Sequence, residues 1–127
     1  MTKRLALLLS LLLTAACGSS SSEPPTTPSG PSVDTTTITI TPTGVSPSAI
    51  TMKPGSQVTF INSDSRNHNM SSDPHPDHTD CSAINDVGVL VPGQRRQTGN
   101  LNTSKTCGYH DHDDSENIRW KGSITIQ

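Results

Sequence analysis

The 127-residue sequence is poor in aromatic residues, with only Phe60, Tyr109 and Trp120. A hydrophobic core must therefore be built from Ile, Val, Leu and Met, and a small core of that kind is marginal without a bound metal or a disulfide. Lysine and arginine form no cluster with interleaved aromatic residues, which argues against nucleic-acid binding. The sequence also has no Gly-rich phosphate loop and no serine or cysteine in a nucleophile motif, so no enzyme activity is expected.

The sequence has no apolar run long enough to span a membrane. Its longest run, Leu5 to Leu13, has nine residues, whereas a transmembrane helix needs about 20. The run follows the basic residues Lys3 and Arg4, an order typical of a secretory signal peptide. We therefore predict that residues 1–16 are a signal peptide and that the protein is exported.

Small residues at positions 14–16 precede Cys17, and this arrangement resembles a bacterial lipoprotein signal. The resemblance implies that Cys17 is lipidated and anchors the protein to a membrane of the cell envelope, facing the periplasm. Ordinary cleavage after Ala16 is the alternative. Residues 17–32 are rich in Ser, Thr, Pro and Gly, which predicts a flexible tether, and residues 33–127 form the predicted folded domain.

Short alternating segments separated by turn residues predict an all-β protein. No helical periodicity follows the signal peptide, so the expected fold is an antiparallel Greek-key β-sandwich. Val58, Phe60 and Asn62 are expected on one face of a strand, and Ile124 and Ile126 on one face of the last strand. The predicted strands cover residues 35–41, 49–52, 57–62, 87–91, 94–101, 106–110 and 120–127, with a further strand beginning at residue 68.

A thiol and two imidazoles lie close together in the segment 106–112, Thr-Cys-Gly-Tyr-His-Asp-His, and an Asn-His pair lies much earlier at 67–68. Thiolate and imidazole ligands together suit copper in either charge state. With the Lys-Pro-Gly-Ser turn at 53–56, this layout resembles the cupredoxins, the blue-copper sandwich proteins, over nearly all of the predicted domain. The resemblance implies a copper ion held by His68, Cys107 and His110.

The sequence departs from the cupredoxin pattern at the axial ligand. No methionine follows Met70, and Trp120 occupies the place of the usual methionine before the final Gly-x-Ile-x-Ile segment. The axial position is then expected to be vacant or to hold an oxygen from Asp113, Glu116 or a backbone carbonyl.

Other histidines and a second cysteine leave alternatives open. His112 competes with His110 for the ligand role, although the family spacing favours His110. The long loop at residues 71–86 carries His75, His78 and Cys81, which would either lie near the copper, bind a second metal, or belong to a loop held by a Cys81–Cys107 disulfide.

The expected function is one-electron transfer through a single copper ion in a monomeric protein. The alternatives are copper storage or delivery, and a metal-free, disulfide-bonded interaction module of the envelope. A redox partner protein is expected in the first case. An acidic rim of Asp111, Asp113, Asp114 and Glu116 is expected to steer a basic partner.

Overall fold

Alternating Thr and Ile residues open the part of the chain that the computed structural model describes, residues 36–127. The predicted signal peptide, the tether and Cys17 lie outside these residues. Strands account for most of the regular structure and run in the order β1 (Thr37–Thr41), β2 (Gly44–Ser46), β3 (Ala49–Met52), β4 (Thr59–Asn62), β5 (His68–Ser72), β6 (Gly88–Leu90), β7 (Arg95–Gln97), β8 (Thr106–Asp111) and β9 (Gly122–Ile126). Short 3₁₀ helices cover Ser82–Asp86, His112–Asp114 and Ile118–Trp120.

The strands form two sheets, which confirms the predicted β-sandwich. One sheet has the order β2-β1-β4-β7, and the other has the order β3-β9-β8-β5-β6. The chain crosses between the sheets repeatedly, because β3 leaves the first sheet, β4 returns to it, and β5 leaves it again. Within residues 36–127, no helix is long and apolar enough to span a bilayer.

The strand alternation places the core where the sequence predicted it. Ile38 and Ile40 of β1 are fully buried, and Phe60 and Asn62 of β4 lie on the buried face of their strand. On β9, Ile124 and Ile126 are buried as well. Phe60 packs edge-on against Tyr109 of β8, with ring centroids 5.2 Å apart, so two of the three aromatic residues join the two sheets.

The sheets are mixed, so the antiparallel pairing predicted for the sandwich is wrong for two strand pairs. β1 pairs in parallel with β4, and β3 pairs in parallel with β9. Parallel pairing requires a crossover connection, and here the chain passes through the opposite sheet between β1 and β4. Local alternation does not carry this information, because it sets which face a side chain occupies and not the direction of the neighbouring strand.

The strand boundaries also differ from the predicted ones. A short strand, β2, occupies part of the segment 42–47, between two predicted strands, where no strand was expected. It pairs antiparallel with β1 after a tight connection at Gly44, which has φ +139°. A Cβ atom at Gly44 would lie 2.8 Å from the Arg119 carbonyl oxygen, so a side chain there is excluded. The predicted strand 94–101 is shortened to β7, and the predicted final strand begins only at Gly122.

Candidate metal centre

Strand β8 carries two of the predicted copper ligands, Cys107 and His110. Its residues alternate between the two faces of the sheet, with Cys107, Tyr109 and Asp111 on one face and Gly108 and His110 on the other. Because β8 continues to Asp111, Cys107 and His110 project to opposite faces. The side chains of Cys107 and His110 could bind one ion only if the strand ended after the cysteine, because the chain could then turn the histidine towards it.

The sulfur of Cys107 is bonded to that of Cys81, with their Cα atoms 5.8 Å apart. A disulfide sulfur is not a thiolate, so the structure does not supply the soft ligand of the predicted copper set. Cys81 is likewise unavailable as a ligand. Of the alternatives that the sequence left open, this arrangement corresponds to the disulfide that holds the loop.

His68 lies in a different environment from the one predicted. Its ring is fully buried; Nδ1 lies 2.7 Å from Oδ2 of Asp111, and Nε2 lies 3.0 Å from Oδ2 of Asp64. Both ring nitrogens therefore face carboxylate oxygens, and neither offers a free lone pair to a metal. Burial alone raises the pKa of Asp64, but hydrogen bonds from His68, the Ser65 amide and Arg66 lower this pKa overall.

Trp120, which stands in the methionine place of the resemblance, covers His68. The two ring centroids are 4.7 Å apart, and the Arg66 guanidinium carbon lies 5.2 Å from the centroid of the indole. The oxygen donors proposed for the axial position, Asp113 and Glu116, are exposed. The structure therefore does not assemble the predicted set of His68, Cys107, His110 and an axial oxygen.

The structure instead brings four histidines together. His75 and His78 belong to the loop after β5, His110 is the penultimate residue of β8, and His112 begins the 3₁₀ helix that follows. One ring nitrogen from each lies within 4.8 Å of those of all the others. Centroids of neighbouring rings are 4.9–5.5 Å apart. We call these four residues the histidine cluster.

The loop that carries His75 and His78 is attached to β8 by several contacts. The Asp73 amide donates to the Gly108 carbonyl at 3.0 Å, and the Gly108 amide donates to Asp80 Oδ2 at 3.3 Å. Lys105 Nζ donates to Asp80 Oδ1 at 2.5 Å, and this hydrogen bond is the main cause of the lowered pKa of Asp80. With the Cys81–Cys107 disulfide, these contacts join the two chain segments that contribute the cluster.

Hydrogen bonds at the outer side of two rings determine which nitrogens remain available. His78 Nδ1 lies 2.8 Å from the Ser72 carbonyl oxygen, and His110 Nδ1 lies 2.6 Å from Asp73 Oδ1. Both partners accept only, so both Nδ1 atoms donate and each Nε2 keeps its lone pair. The His110 side chain is 1% exposed, and its buried Nε2 has no hydrogen-bond partner within the described residues.

His78 also has an unusual backbone conformation. Its φ is +53°, the only positive value for a non-glycine residue in the described chain. The conformation is supported on both sides, because the His78 amide donates to the Pro74 carbonyl at 2.7 Å and Asn85 Nδ2 donates to the His78 carbonyl at 2.9 Å. Conformations of this kind concentrate at functional sites, and here it is found at the histidine that links the loop to His112.

The surroundings of His75 favour its neutral form. The pKa of His75 is lowered, first by its partial removal from water and then by the neighbouring His112, His110 and His78. His78 Nε2 lies 2.9 Å from His112 Nδ1, so one of these nitrogens carries a proton and donates it to the lone pair of the other. Neutral imidazole is the form that binds metals, so the lowered pKa of His75 suits metal binding by this residue.

The donor set fits a transition-metal ion. Imidazole suits zinc, copper, iron and nickel, and among divalent ions Cu²⁺ binds such ligands most tightly. Two nitrogens on opposite sides of an ion, each bound at about 2.0–2.1 Å, lie about 4 Å apart. The nitrogens of the cluster lie at most 4.8 Å apart. This distance exceeds the separation of two nitrogens bound on opposite sides of an ion by less than about 1 Å.

Comparison with known proteins rests on structure alone, since no family model and no curated protein sequence matches the chain. A purple cupredoxin from Nitrosopumilus maritimus is 20% identical, with TM-score 0.56, over 72% of this chain and 98% of that one. Plastocyanin from Dryopteris crassirhizoma is 18% identical, with TM-score 0.56, over 72% of this chain and 99% of that one. The fold is that of the cupredoxins. Amicyanin from Paracoccus versutus shows the same likeness, with 15% identity, TM-score 0.56, and coverage of 75% of this chain and 83% of that one.

Within the cupredoxin fold, two residues that orient the cluster were missed at the sequence level. Asp73 and Ser72 carry no motif. The contact of Asp73 with His110 arises only when the loop lies against β8, and Ser72 contacts His78 six residues further along the chain. A signal for part of the cluster was available. His110 and His112 are two residues apart, so in an extended strand they would share a face, whereas Cys107 and His110 would not.

Proposed function

We propose that this protein binds copper through the histidine cluster and that its role is to hold or deliver the ion. One observation carries the proposal. The buried Nε2 of His110 has no hydrogen-bond partner among residues 36–127, yet it belongs to a group of four imidazoles whose nitrogens lie within 4.8 Å of one another. A buried polar atom without a partner is costly, and a bound cation would remove that cost.

Copper is the preferred ion because of the ligand chemistry and the compartment expected for the protein. Imidazoles bind Cu²⁺ more tightly than they bind the other common divalent ions. A disulfide beside the cluster is compatible with an exported protein in an oxidising compartment. The absence of a thiolate from the cluster means that intense blue colour is not expected from copper at this site.

Holding or delivering copper agrees with the exposure of the ligands. His110 is buried, His78 is half-buried, and His75 and His112 are exposed. The cluster is thus open on one side, so an ion can enter and leave without unfolding of the sandwich.

One-electron transfer through a single copper ion is the second candidate. The likeness of the fold to plastocyanin and amicyanin favours it. The cluster lacks the thiolate that, together with imidazole, suits copper in either charge state. Reversible voltammetry of the copper-loaded protein therefore separates the two candidates. A redox partner is part of this candidate only.

Export and a lipid anchor at Cys17 belong to the same proposal and rest on the sequence pattern of residues 1–17. A tether at residues 17–32 would keep a monomeric domain away from the membrane surface of the cell envelope. Mass spectrometry of the mature protein tests this part, because a lipidated Cys17 gives an N-terminal peptide with added acyl mass.

Titration of the purified protein with Cu(II) is expected to saturate at one equivalent. The electron paramagnetic resonance spectrum is expected to show coupling to imidazole nitrogens, and the visible spectrum only weak absorption, since no sulfur is bonded to the copper. Free-thiol counting on the same sample should find Cys81 and Cys107 oxidised.

An intense charge-transfer band at one copper equivalent, together with two free thiols, would contradict the histidine-cluster proposal and favour a His68–Cys107–His110 site. Failure to bind Cu(II) or Zn(II) at all would leave the metal-free, disulfide-bonded module as the remaining function.

A further inference from the structure

The carboxylate of Asp73 makes the shortest contact to any ring of the histidine cluster. Its Oδ1 lies 2.6 Å from His110 Nδ1. An ionised carboxylate only accepts hydrogen bonds, so Nδ1 carries the proton and Nε2 does not. Asp73 is half-exposed, whereas the His110 ring is buried. The carboxylate charge therefore lies near the surface, and Nε2 of His110 lies in the interior.

Within the described residues, no other carboxylate of the two segments that carry the histidines accepts a hydrogen bond from a cluster ring. Asp77, Asp113 and Glu116 are exposed, and among residues 36–127 no histidine ring donates a hydrogen bond to these carboxylates. Asp111 directs its carboxylate to His68, on the opposite face of β8. Among the described residues, Asp73 is therefore the acid that accepts a hydrogen bond from a cluster histidine.

Gly108 makes the approach of Asp73 possible. A Cβ atom at this position would overlap Oδ2 of Asp73 and would lie 2.8 Å from its Cγ atom. The absence of a side chain at Gly108 lets the carboxylate lie flat against β8 and reach His110, two residues further along the strand. This glycine is thus required by a close approach and not by a special backbone angle.

The backbone of Asp73 is held in place on both sides. Its amide donates to the Gly108 carbonyl at 3.0 Å, and its carbonyl accepts from the Asp80 amide at 2.8 Å and from Ser72 Oγ at 3.1 Å. The preceding residue, Ser72, uses its carbonyl to orient His78 in the same way. Adjacent residues at the end of β5 thus orient one ligand from each of the two segments.

We propose that Asp73 is a positioning residue of the copper site, which selects the Nδ1–H tautomer of His110 and so presents Nε2 to the ion. The inference rests on the proposed function. Carboxylates that hydrogen-bond to metal-binding histidines fix the tautomer and raise the basicity of the ligand, and their loss costs about 10–100-fold in metal affinity.

The tautomer can be measured without metal. Long-range ¹H–¹⁵N spectra of the metal-free protein are expected to show His110 as the Nδ1–H tautomer. In Asp73→Ala, the His110 signals are expected to move to the Nε2–H form or to the average of the two forms. Asp73→Asn keeps an acceptor oxygen and is expected to retain most of the Nδ1–H form.

Metal affinity provides the second readout. Competition titration with Cu(II) alone is expected to show a loss of about 10–100-fold in Asp73→Ala and a smaller loss in Asp73→Asn. Gly108→Ala displaces the carboxylate and is expected to reproduce the Asp73→Ala result. Asp77→Ala removes the same charge from the same loop and is expected to leave both the tautomer and the affinity unchanged.

The inference would be overturned if Asp73→Ala left the His110 tautomer as it is in the unmodified protein. It would also be overturned if Asp77→Ala lowered the affinity as much as Asp73→Ala, since general charge would then explain the effect. If His110 itself proves unnecessary for Cu(II) binding while the tautomer responds to Asp73 as expected, the proposed function fails and the positioning contact stands.

Discussion

Replacing His110 by alanine is expected to lower the affinity for Cu(II) by more than about 100-fold, because groups that only orient a ligand already contribute about 10–100-fold. His110 is the buried member of the cluster, and its Nε2 has no hydrogen-bond partner in the part of the chain that the structure describes. Affinity is measured by competition with a chelator, and the nitrogen couplings of any residual Cu(II) signal are compared with those of the unmodified protein. Circular dichroism establishes that the variant is folded.

His68→Gln is the matched control for this experiment. It changes another buried histidine that contacts a carboxylate, but one outside the cluster, and glutamine preserves hydrogen-bonding capacity towards Asp64 and Asp111. We expect copper affinity to be nearly unchanged in this variant. If His68→Gln lost copper as severely as His110→Ala, the histidine cluster would not be the copper site, and the set predicted from the sequence would regain support.

Removing the Cys81–Cys107 disulfide is expected to destabilise the folded domain by about 3–4 kcal/mol, since the bond closes a loop with a sequence separation of 26. The double variant Cys81→Ala/Cys107→Ala avoids free thiols that would bind copper themselves. Its free energy of unfolding is measured with a chemical denaturant and compared with that of the unmodified protein under oxidising conditions. The same variant is expected to bind Cu(II) more weakly, because His75 and His78 lie on the loop that the bond holds.

Chemical reduction of the unmodified protein is the companion measurement. It should lower the free energy of unfolding by a similar amount, whereas reduction of the double variant should change nothing. Equal stability of the oxidised and reduced forms would contradict the assignment of the disulfide. Peptide mapping of copper-loaded protein without reduction should recover the disulfide-linked Cys81–Cys107 peptide in stoichiometric yield. If this peptide were absent, Cys107 would again be a candidate thiolate ligand.

Much of the sandwich could be predicted because its signals are local. Thr-Ile alternation in β1 and the Val58, Phe60, Asn62 series depend only on the period of an extended chain, and burial follows that period in the structure. The pairing of β1 with β4 in parallel could not be predicted, since it depends on a crossover through the other sheet. The strand β2 was missed because its three residues are too few to show a pattern.

The candidate site was predicted in its residue types but not in its grouping. The segment with Cys107, His110 and His112 was recognised, as was the loop with His75 and His78. The grouping failed at Cys107 because β8 continues past it, so that Cys107 and His110 face opposite sides of the sheet. It failed at His68 because two carboxylates, distant from each other in sequence, occupy both ring nitrogens.

The sequence by itself determined the all-β class, the buried faces of β1, β4 and β9, and the two segments that bear the histidines, since each depends on the spacing of residues along one stretch of chain. Only the tertiary structure decided which cysteines are bonded and which histidines meet. Those outcomes depend on how the loop after β5 folds across β8, where the Asp73–Gly108 backbone contact, the Asp80–Lys105 ion pair and the disulfide act together. These contacts join residues some 25–40 positions apart. They cannot be predicted from the spacing of residues along one stretch of chain, because the intervening residues do not take part in them.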